Sequence, residues 1–235
     1  MIYLTGDIHR QGTVSRFEGL TMLHNVKPED YLIICGDVGC LWYGHPKDDE
    51  LLAEYDKIPY KILWVDGNHE NFDLMKQYPH ETWHGGDIQV ISKNSYRLCR
   101  GQVFDIDGYK IFTFGGGLSI DRYRRVEHES WWADEWPSEE EKETAFKNLE
   151  ANNWKVDYVV THAAPREIRN RLVYYSVPLI MKDCKTEDFL EEVCARLEFK
   201  HWFFGHYHKN MNIGDKFTML YDGYTSINNP QHIEY

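Results

Sequence analysis

Five short apolar runs in the sequence each end in residues of the kinds that bind metal ions. The runs occupy residues 2–5, 31–35, 62–65, 158–161 and 202–204. The residues that follow them are, in chain order, Asp7, His9, Asp37, Asn68, His69, His162, His206 and His208. Short β-branched and aromatic runs bounded by glycine predict buried strands, and open α/β sheets bind ligands at the carboxyl ends of their strands. We therefore expect the five runs to deliver these side chains to one shared site.

Seven of these residues form a ligand set whose chemistry indicates the metals. They are Asp7, His9, Asp37, Asn68, His162, His206 and His208. Their oxygen and nitrogen donors suit manganese foremost, with iron or zinc as alternatives, and they suit calcium less well. Seven donors are too many for one ion. A pair of divalent ions roughly 3.5 to 4 Å apart that share one carboxylate accommodates them, and such pairs are common in enzymes that hydrolyse phosphate esters.

The order of these motifs carries a resemblance to a known family. The motifs are Asp7-x-His9, Gly36-Asp37, Gly67-Asn68-His69-Glu70, His162 and Gly205-His206-x-His208. Together they resemble the signature of the calcineurin-like metallophosphoesterases, in particular small bacterial and phage members. The resemblance implies a four-layer α/β/β/α sandwich of the metallo-dependent phosphatase type, with two facing mixed sheets flanked by helices. It also implies which residues bind metal: Asp7, His9 and His208 one ion, Asn68, His162 and His206 the other, and Asp37 both.

The same resemblance implies the reaction. A hydroxide that bridges the two metals attacks a phosphate ester, and His69 acts as the general acid that protonates the departing alkoxide. An imidazole with an unperturbed pKa near ~6.5 suits that role. Asp37 counts among the catalytic residues because a carboxylate can donate one oxygen to each ion, so its loss should empty both positions.

The sequence departs from the family pattern at two places near the expected site. Phosphoprotein phosphatases of this superfamily carry an Asp that orients the acid histidine and an Arg that grips phosphate, where this chain has Cys40 and Leu41. A thiol cannot replace a carboxylate that steadies an imidazolium, so His69 must be oriented in another way. The position after the first histidine, commonly glycine, is Arg10. Its guanidinium is expected to reach a phosphate oxygen.

Residues 115–137 form a long connection between two recognisable elements. Before it, the sequence predicts a hairpin of residues 103–106 and 109–114 joined at Asp107-Gly108; after it, a helix begins with a capping box between Ser138 and Glu141. No hydrophobic period runs through the connection, and connections of this length are usually functional or disordered. Its three tryptophans argue against disorder. We therefore predict a cap or substrate loop over the metals.

Two groups of side chains in this connection bear on the substrate. Asp121, Arg122 and Arg125 are expected to shape the substrate pocket, since arginine binds anionic groups well. Trp131 and Trp132 have two roles open to them. They either form an aromatic wall of the pocket or pack the connection onto the sheet.

Charge restricts the class of substrate. The formal net charge is −12 at pH 7, and a surface of that sign repels long nucleic acids, whose binding depends on neutralising phosphates. A nuclease acting on long duplex DNA is therefore disfavoured. We expect a small phosphorylated substrate, a nucleotide or the end of an RNA. The sequence leaves the oligomeric state open.

Domain organisation and compartment follow from the distribution of a few residue types. The expected ligands lie towards both ends of the 235 residues, so neither half can form the site alone, and residues 1–235 are predicted to be one domain. Five cysteines without a Cys-x-x-Cys motif predict core thiols in a reducing compartment. Because the first strand begins at residue 2 and no apolar run approaches ~20 residues, we expect a cytoplasmic protein without membrane association.

The remaining sequence predicts the scaffold. Hydrophobic periodicity indicates helices at residues 13–25, 47–56, 138–151 and 187–197. Strand patterns around residues 88–91 and 96–98, together with the later hairpin, are expected to build the second of the two sheets.

Three hypotheses about function remain. The leading one is a dimetal phosphomonoesterase, and the alternative is a phosphodiesterase acting on a cyclic or short nucleotide. They differ in whether arginine clamps a terminal phosphate or the far side of the pocket stays open for a second ester group, so Arg10 and the cap decide between them. The third hypothesis, a non-enzymatic scaffold, is disfavoured because every ligand position is present.

Overall fold

The computed structural model describes residues 1–10, 13–172 and 184–235, without the side chain of Leu23, and it places fourteen strands of these residues in two mixed sheets. The strands are β1 (Ile2–Thr5), β2 (Tyr31–Ile34), β3 (Lys61–Trp64), β4 (His80–Trp83), β5 (Gly86–Val90), β6 (Ser95–Leu98), β7 (Gln102–Ile106), β8 (Tyr109–Phe114), β9 (Tyr158–Thr161), β10 (His201–Phe204), β11 (Met211–Ile213), β12 (Phe217–Met219), β13 (Tyr224–Ser226) and β14 (Asn229–Glu234). One sheet has the order β14-β13-β1-β2-β3-β6-β5-β4, and the other β11-β12-β10-β9-β8-β7.

Six α-helices of the described residues accompany the sheets, and two short 3-10 helices, Arg122–Arg124 and Ala133–Glu135, lie in the long connection. The α-helices are α1 (Thr13–His24), α2 (Lys47–Tyr55), α3 (Phe72–Met75), α4 (Glu139–Ala151), α5 (Arg166–Leu172) and α6 (Lys185–Arg196). Four of them, α1, α2, α4 and α6, confirm the helices predicted from periodicity to within two residues at each end. The capping box of α4 is also confirmed, because the Ser138 side chain accepts from the backbone of Glu141 and the Glu141 side chain accepts from the backbone of Ser138. No helix in the described part of the chain combines the length and apolar character needed to cross a bilayer.

Alternation along the strands sends side chains to opposite faces and thereby builds the four layers. In and after β2, Leu32 and Ile34 pack towards α1, α2 and α3, whereas Ile33 and Cys35 pack between the two sheets. On the second sheet, Val159 packs towards α4, α5 and α6 while Val160 belongs to the core between the sheets. The predicted α/β/β/α sandwich of two mixed sheets flanked by helices is therefore confirmed.

The assignment of residues 88–91 and 96–98 to the second sheet was wrong. Strands β5 and β6 join the eight-stranded sheet, since β6 pairs in parallel with β3 and β5 pairs antiparallel with β6. Side-chain bonds between β3 and β6 fix this pairing: Trp64 donates its indole N–H to the Ser95 hydroxyl at 3.1 Å. Of the segments predicted to build the second sheet, the hairpin β7–β8 alone lies in the six-stranded sheet. It joins that sheet through parallel pairing of β8 with β9.

Asp66, directly after β3 and fully buried, anchors the long connection to the first sheet. Arg97 donates Nε and Nη2 to its Oδ1 at 2.9 and 2.6 Å, and Arg100 donates the same pair of atoms to its Oδ2 at 2.9 and 2.6 Å. Arg100 also donates to the carbonyl oxygens of Asp134 and Trp136. One carboxylate thus pairs with two guanidinium groups, and the guanidinium of Arg100 holds the end of residues 115–137 in place.

Replacing Asp66 with asparagine should lower the free energy of unfolding by about 3 kcal/mol or more, because it leaves the largely buried guanidinium of Arg97 without a counter-charge and leaves Arg100 with Glu141 as its only carboxylate partner among the described residues. Urea denaturation measures the change. The matched control is Asp105→Asn, which alters an exposed carboxylate of β7 and should change stability by less than about 0.5 kcal/mol. Equal unfolding midpoints for both variants would contradict the anchoring role.

Candidate metal centre

The carboxyl ends of parallel strands from both sheets meet at one place. Strands β1, β2 and β3 run parallel in the first sheet, and β8, β9 and β10 run parallel in the second. The loops that follow these strands bring together all seven residues predicted to bind metal. Gly67 makes the approach feasible, since a Cβ at that position would lie 1.9 Å from Oδ1 of Asp37. Gly36 likewise leaves room for the His162 ring, which a Cβ would meet at 2.3 Å.

The donor atoms fall into two groups. In the first, Nε2 of His9 lies 3.0 Å from Nε2 of His208, which lies 3.5 Å from Oδ2 of Asp7. In the second, Nε2 of His162 lies 3.0 Å from Oδ1 of Asn68 and 3.1 Å from Nδ1 of His206. Each group is small enough for one ion to replace the contacts among its members.

Asp37 stands between the two groups. Its Oδ2 lies 3.8 Å from Nε2 of His9, and its Oδ1 lies 3.4 Å from Nε2 of His162. Oδ1 also accepts the backbone N–H of His69 at 2.8 Å, which fixes the direction of the carboxylate. The side chain is 2% exposed, so the carboxylate has little access to water.

The donor set fits divalent cations. Oδ2 of Asp7 is buried and has no hydrogen-bond partner among the described residues, which is costly for a carboxylate oxygen unless a cation faces it. Burial raises the pKa of Asp7 to about 7 and lowers the pKa values of His9 to about 4 and of His206 to about 3. The imidazoles of His9 and His206 are therefore neutral at pH 7, the form in which histidine binds metal.

A family comparison agrees with this geometry. The model for the calcineurin-like phosphoesterases matches residues 1–210. The chain belongs to that family. Members of the family are metal-dependent phosphoesterases, so this protein is a hydrolase of phosphate esters, and the family implies a dimetal centre. No match to a curated protein was found.

Several contacts of this phosphoesterase orient the candidate ligands, and motif reading did not find most of them. His162 donates Nδ1–H to the carbonyl of Cys35 at 2.7 Å, which leaves Nε2 free to face an ion. Asn68 donates its amide to the hydroxyl of Ser119 at 3.1 Å, which leaves Oδ1 free. Glu70 accepts the backbone N–H groups of Val38 and Gly39 and so holds the loop that carries Asp37. Of the three groups that orient ligands here, the Cys35 carbonyl, the Ser119 hydroxyl and the Glu70 carboxylate, the last belongs to a motif that the sequence analysis recognised.

Four of the seven candidate ligands have positive backbone φ angles. The values are 50° for His9, 50° for Asp37, 70° for His206 and 52° for His208. This region is uncommon for residues with a Cβ and costs roughly 1 kcal/mol or more at each position. Such strain concentrates at functional sites, where the surrounding structure holds a side chain in a required direction.

His69 is held by an arginine from the long connection. Nη1 of Arg125 donates to the carbonyl of Ser130 at 3.0 Å and lies 3.2 Å from Nδ1 of His69. Asp121 accepts from Nε and Nη2 of Arg125 at 2.8 and 2.9 Å. Burial and the positive charge of Arg125 lower the pKa of His69. The negative charge of Asp37 raises it but does not cancel their effect. Cys40 is fully buried in the core between the first sheet and helices α1, α2 and α3, and it is not part of this arrangement.

The other residues expected to touch substrate lie in different surroundings. Arg10 donates to the buried carboxylate of Asp48 at 2.6 Å, and its guanidinium covers the ring of Tyr43 at 5.1 Å. Arg122 covers the ring of Trp136 at 4.7 Å. Trp132 is buried against Trp42 and donates to Asp73 at 2.8 Å. For Trp132 the structure thus shows packing of the connection onto the core.

Two clefts open beside the centre, and His69 lines both of them. The first, here called the cap cleft, has a volume of about 400 Å³ and is lined by Asp37, Asn68, His69, Leu118, Ser119, Ile120, Asp121, Arg125, Arg169, Glu187, His206, Tyr207 and His208. The second, the aromatic cleft, has a volume of about 200 Å³ and is lined by His9, Arg10, Gly39, Trp42, Tyr43 and His69. Tyr43 is 60% exposed, and both Arg10 and Lys47 lie over its ring, at 5.1 and 4.5 Å from the centroid.

Proposed function

We propose that the protein hydrolyses phosphodiesters of small nucleotide-like compounds at a dimetal centre, with manganese as the preferred ion. The observation that carries this proposal is the pair of clefts that share His69. A phosphorus atom bound at the centre would have room for one ester group in the cap cleft and for another in the aromatic cleft. In this proposal residues 115–137 act as the cap, because five of them line the cap cleft.

The state of the arginines favours the diester over the monoester that the sequence favoured. Clamping a terminal phosphate dianion requires guanidinium groups whose charge is not already balanced by a carboxylate. Arg10 is paired with Asp48, and Arg125 is paired bidentately with Asp121. A diester carries one negative charge at its phosphate and needs no such clamp. The metals alone can balance that charge.

Each side chain has a defined part in the proposed reaction. Asp7, His9, Asp37 and His208 would hold one ion, and Asp37, Asn68, His162 and His206 the other. Bound divalent ions supply Lewis acidity that polarises the phosphate and lowers the pKa of water for attack on phosphorus. Asp37 would hold the two groups of ligands at a fixed spacing, because each of its oxygens faces one group. His69, which lines both clefts, protonates the departing alkoxide.

Arg125 and Asp121 would orient His69 in place of the carboxylate that many phosphoprotein phosphatases of this superfamily carry in the second motif. A guanidinium has no acceptor atom, so a nitrogen of the neutral His69 ring that bonds to Arg125 must accept. Nη1 lies 3.2 Å from Nδ1 and Nη2 lies 3.5 Å from Nε2, and the shorter contact favours Nδ1 as the acceptor and Nε2 as the site of the proton. The acid role belongs to the imidazolium form of the ring. Asp121 and the carbonyl of Ser130 hold the guanidinium in place.

A paired assay tests the choice of ester. We expect the manganese-reconstituted protein to hydrolyse a diester of a chromogenic phenol with a kcat/KM at least about tenfold above that of the corresponding monoester, with Asp37→Ala as the blank. The reverse preference would favour the phosphomonoesterase.

Replacing Tyr43 with alanine should raise KM for a diester that bears a nucleobase by about tenfold, because stacking of a base on an aromatic ring contributes roughly 1 to 3 kcal/mol. Tyr43→Phe is the matched control and should retain the parent KM, since it keeps the ring. A diester with a small alkyl group should not distinguish the variants. An unchanged KM for the nucleotide diester in Tyr43→Ala would remove the aromatic cleft from substrate binding.

A further inference from the structure

Three potential metal ligands converge on the first sheet and share no residue with the dimetal centre. They are His80 in β4, Asp87 in β5 and Cys99 directly after β6. Nδ1 of His80 lies 2.7 Å from Oδ2 of Asp87 and 3.8 Å from Sγ of Cys99. One donor atom from each of the three residues lies within 4.8 Å of the other two.

Strand register places the three side chains on one face of the sheet. In the β4–β5 ladder Thr82 lies opposite Asp87, and His80 precedes Thr82 by two residues. Side chains two residues apart in a strand point to the same face. The backbone N–H of Cys99 donates to the carbonyl of Asp87 at 3.1 Å, so these two residues are also neighbours across the sheet. His80, Asp87 and Cys99 are here called the tripod. The backbone that carries the tripod is therefore held by the sheet itself.

The chemistry of the tripod selects the class of ion. An imidazole nitrogen, a carboxylate oxygen and a sulfur are the three ligand types that zinc takes in proteins, whereas calcium and magnesium take oxygen ligands. A surface His–Asp pair without a metal would explain the contact between His80 and Asp87. It would not use the adjacent sulfur of Cys99, which is a soft metal donor. Burial raises the pKa of Cys99 to about 12, so the thiol keeps its proton until a metal displaces it.

Two of the three ligands give the tripod access to solvent. The side chains of His80 and Asp87 are 54% and 41% exposed, while Cys99 is buried. A bound ion would thus be anchored by the buried sulfur and open to water on the side of the two exposed ligands. Three protein ligands with one position left for water form a recognised zinc geometry.

We propose that His80, Asp87 and Cys99 form a second metal site, which binds one zinc-type divalent ion with water as the fourth ligand. The site is independent of the dimetal centre and of the reaction there.

Cobalt(II) is the probe for this site, because a thiolate ligand produces a sulfur-to-cobalt charge-transfer band in the near ultraviolet. The candidate ligands of the dimetal centre include no sulfur, so that band reports the tripod alone. We expect titration of the full chain with Co²⁺ to produce the band, and addition of Zn²⁺ to abolish it. Cys99→Ser should abolish the band, and His80→Ala should weaken Co²⁺ binding at least about tenfold.

The matched control is Cys194→Ser, which removes a half-buried thiol outside the tripod and should leave the band unchanged. His80 is exposed, so its replacement tests the site without disturbing the core. Hydrolysis of phosphate ester by the manganese-loaded Cys99→Ser protein should equal that of the parent. Absence of the band in the parent protein, or an equal band in Cys99→Ser, would overturn the proposal.

Discussion

Replacing Asp37 with alanine is expected to remove both ions of the dimetal centre and to lower kcat/KM for phosphate esters by about 10⁴-fold or more. The two oxygens of Asp37 face opposite halves of the ligand set, at 3.8 Å from His9 and 3.4 Å from His162. Metal ions stabilise transition-state charge by several kcal/mol, and each ~1.4 kcal/mol corresponds to a factor of ten in rate. Elemental analysis after gel filtration, together with steady-state kinetics, measures both effects.

The matched control for this variant is Asp30→Ala. Asp30 is also buried, but it bonds to the amino group of Met1 and the backbone of Lys27, away from the centre. We expect it to retain the parent metal content and turnover. An Asp37→Ala protein that loses only one ion would show that Asp37 serves one half of the centre.

Replacing His69 with alanine should leave both ions bound while turnover of an ester with a poor leaving group falls by about 10²- to 10⁴-fold, the usual contribution of a general acid. The loss should be smallest for an acidic phenol, which leaves without protonation. The test is a series of esters that share one phosphate and differ in the acidity of the alcohol. In a plot of log kcat against that acidity, the variant should depend more steeply on leaving group than the parent.

His128→Ala provides the control for the loss of an imidazole near the long connection. His128 is exposed and bonds to Asp73, and its replacement should leave the leaving-group dependence unchanged. Equal losses across the series for His69→Ala would mean that His69 has a structural role or binds substrate.

Much of the scaffold could be predicted because it follows from local patterns. Strand endings such as Gly36-Asp37 and Gly205-His206 put polar side chains at the carboxyl ends of parallel strands, and such ends share an edge of a sheet. The hairpin at Asp107-Gly108 and the capping box at Ser138 are likewise written in a few adjacent residues.

The features that escaped prediction depend on contacts between distant segments. The place of β6 beside β3 is supported by the bond from Trp64 to Ser95 and by the bonds of Asp66 to Arg97 and Arg100, all between residues more than thirty positions apart in the chain. The contact of Arg125 with His69 joins residues separated by 56 positions. Neither hydrophobic periodicity nor a sequence motif identifies such pairs, because the segment around each partner has the composition of an ordinary loop or strand.

Backbone strain at the centre escaped prediction for a related reason. His9, Asp37, His206 and His208 adopt positive φ angles, although none is the residue type that favours them most. Only the assembled site accounts for these conformations, since the neighbouring strands and glycines leave each side chain one direction in which to reach its partners.

The most direct test of the proposed centre is anomalous diffraction from crystals of the chain soaked in Mn²⁺. The account predicts two anomalous peaks roughly 3.5 to 4 Å apart. One peak should lie against Asp7, His9 and His208, the other against Asn68, His162 and His206, with Asp37 between them. A single peak within this cluster, or none at saturating Mn²⁺, would contradict the account.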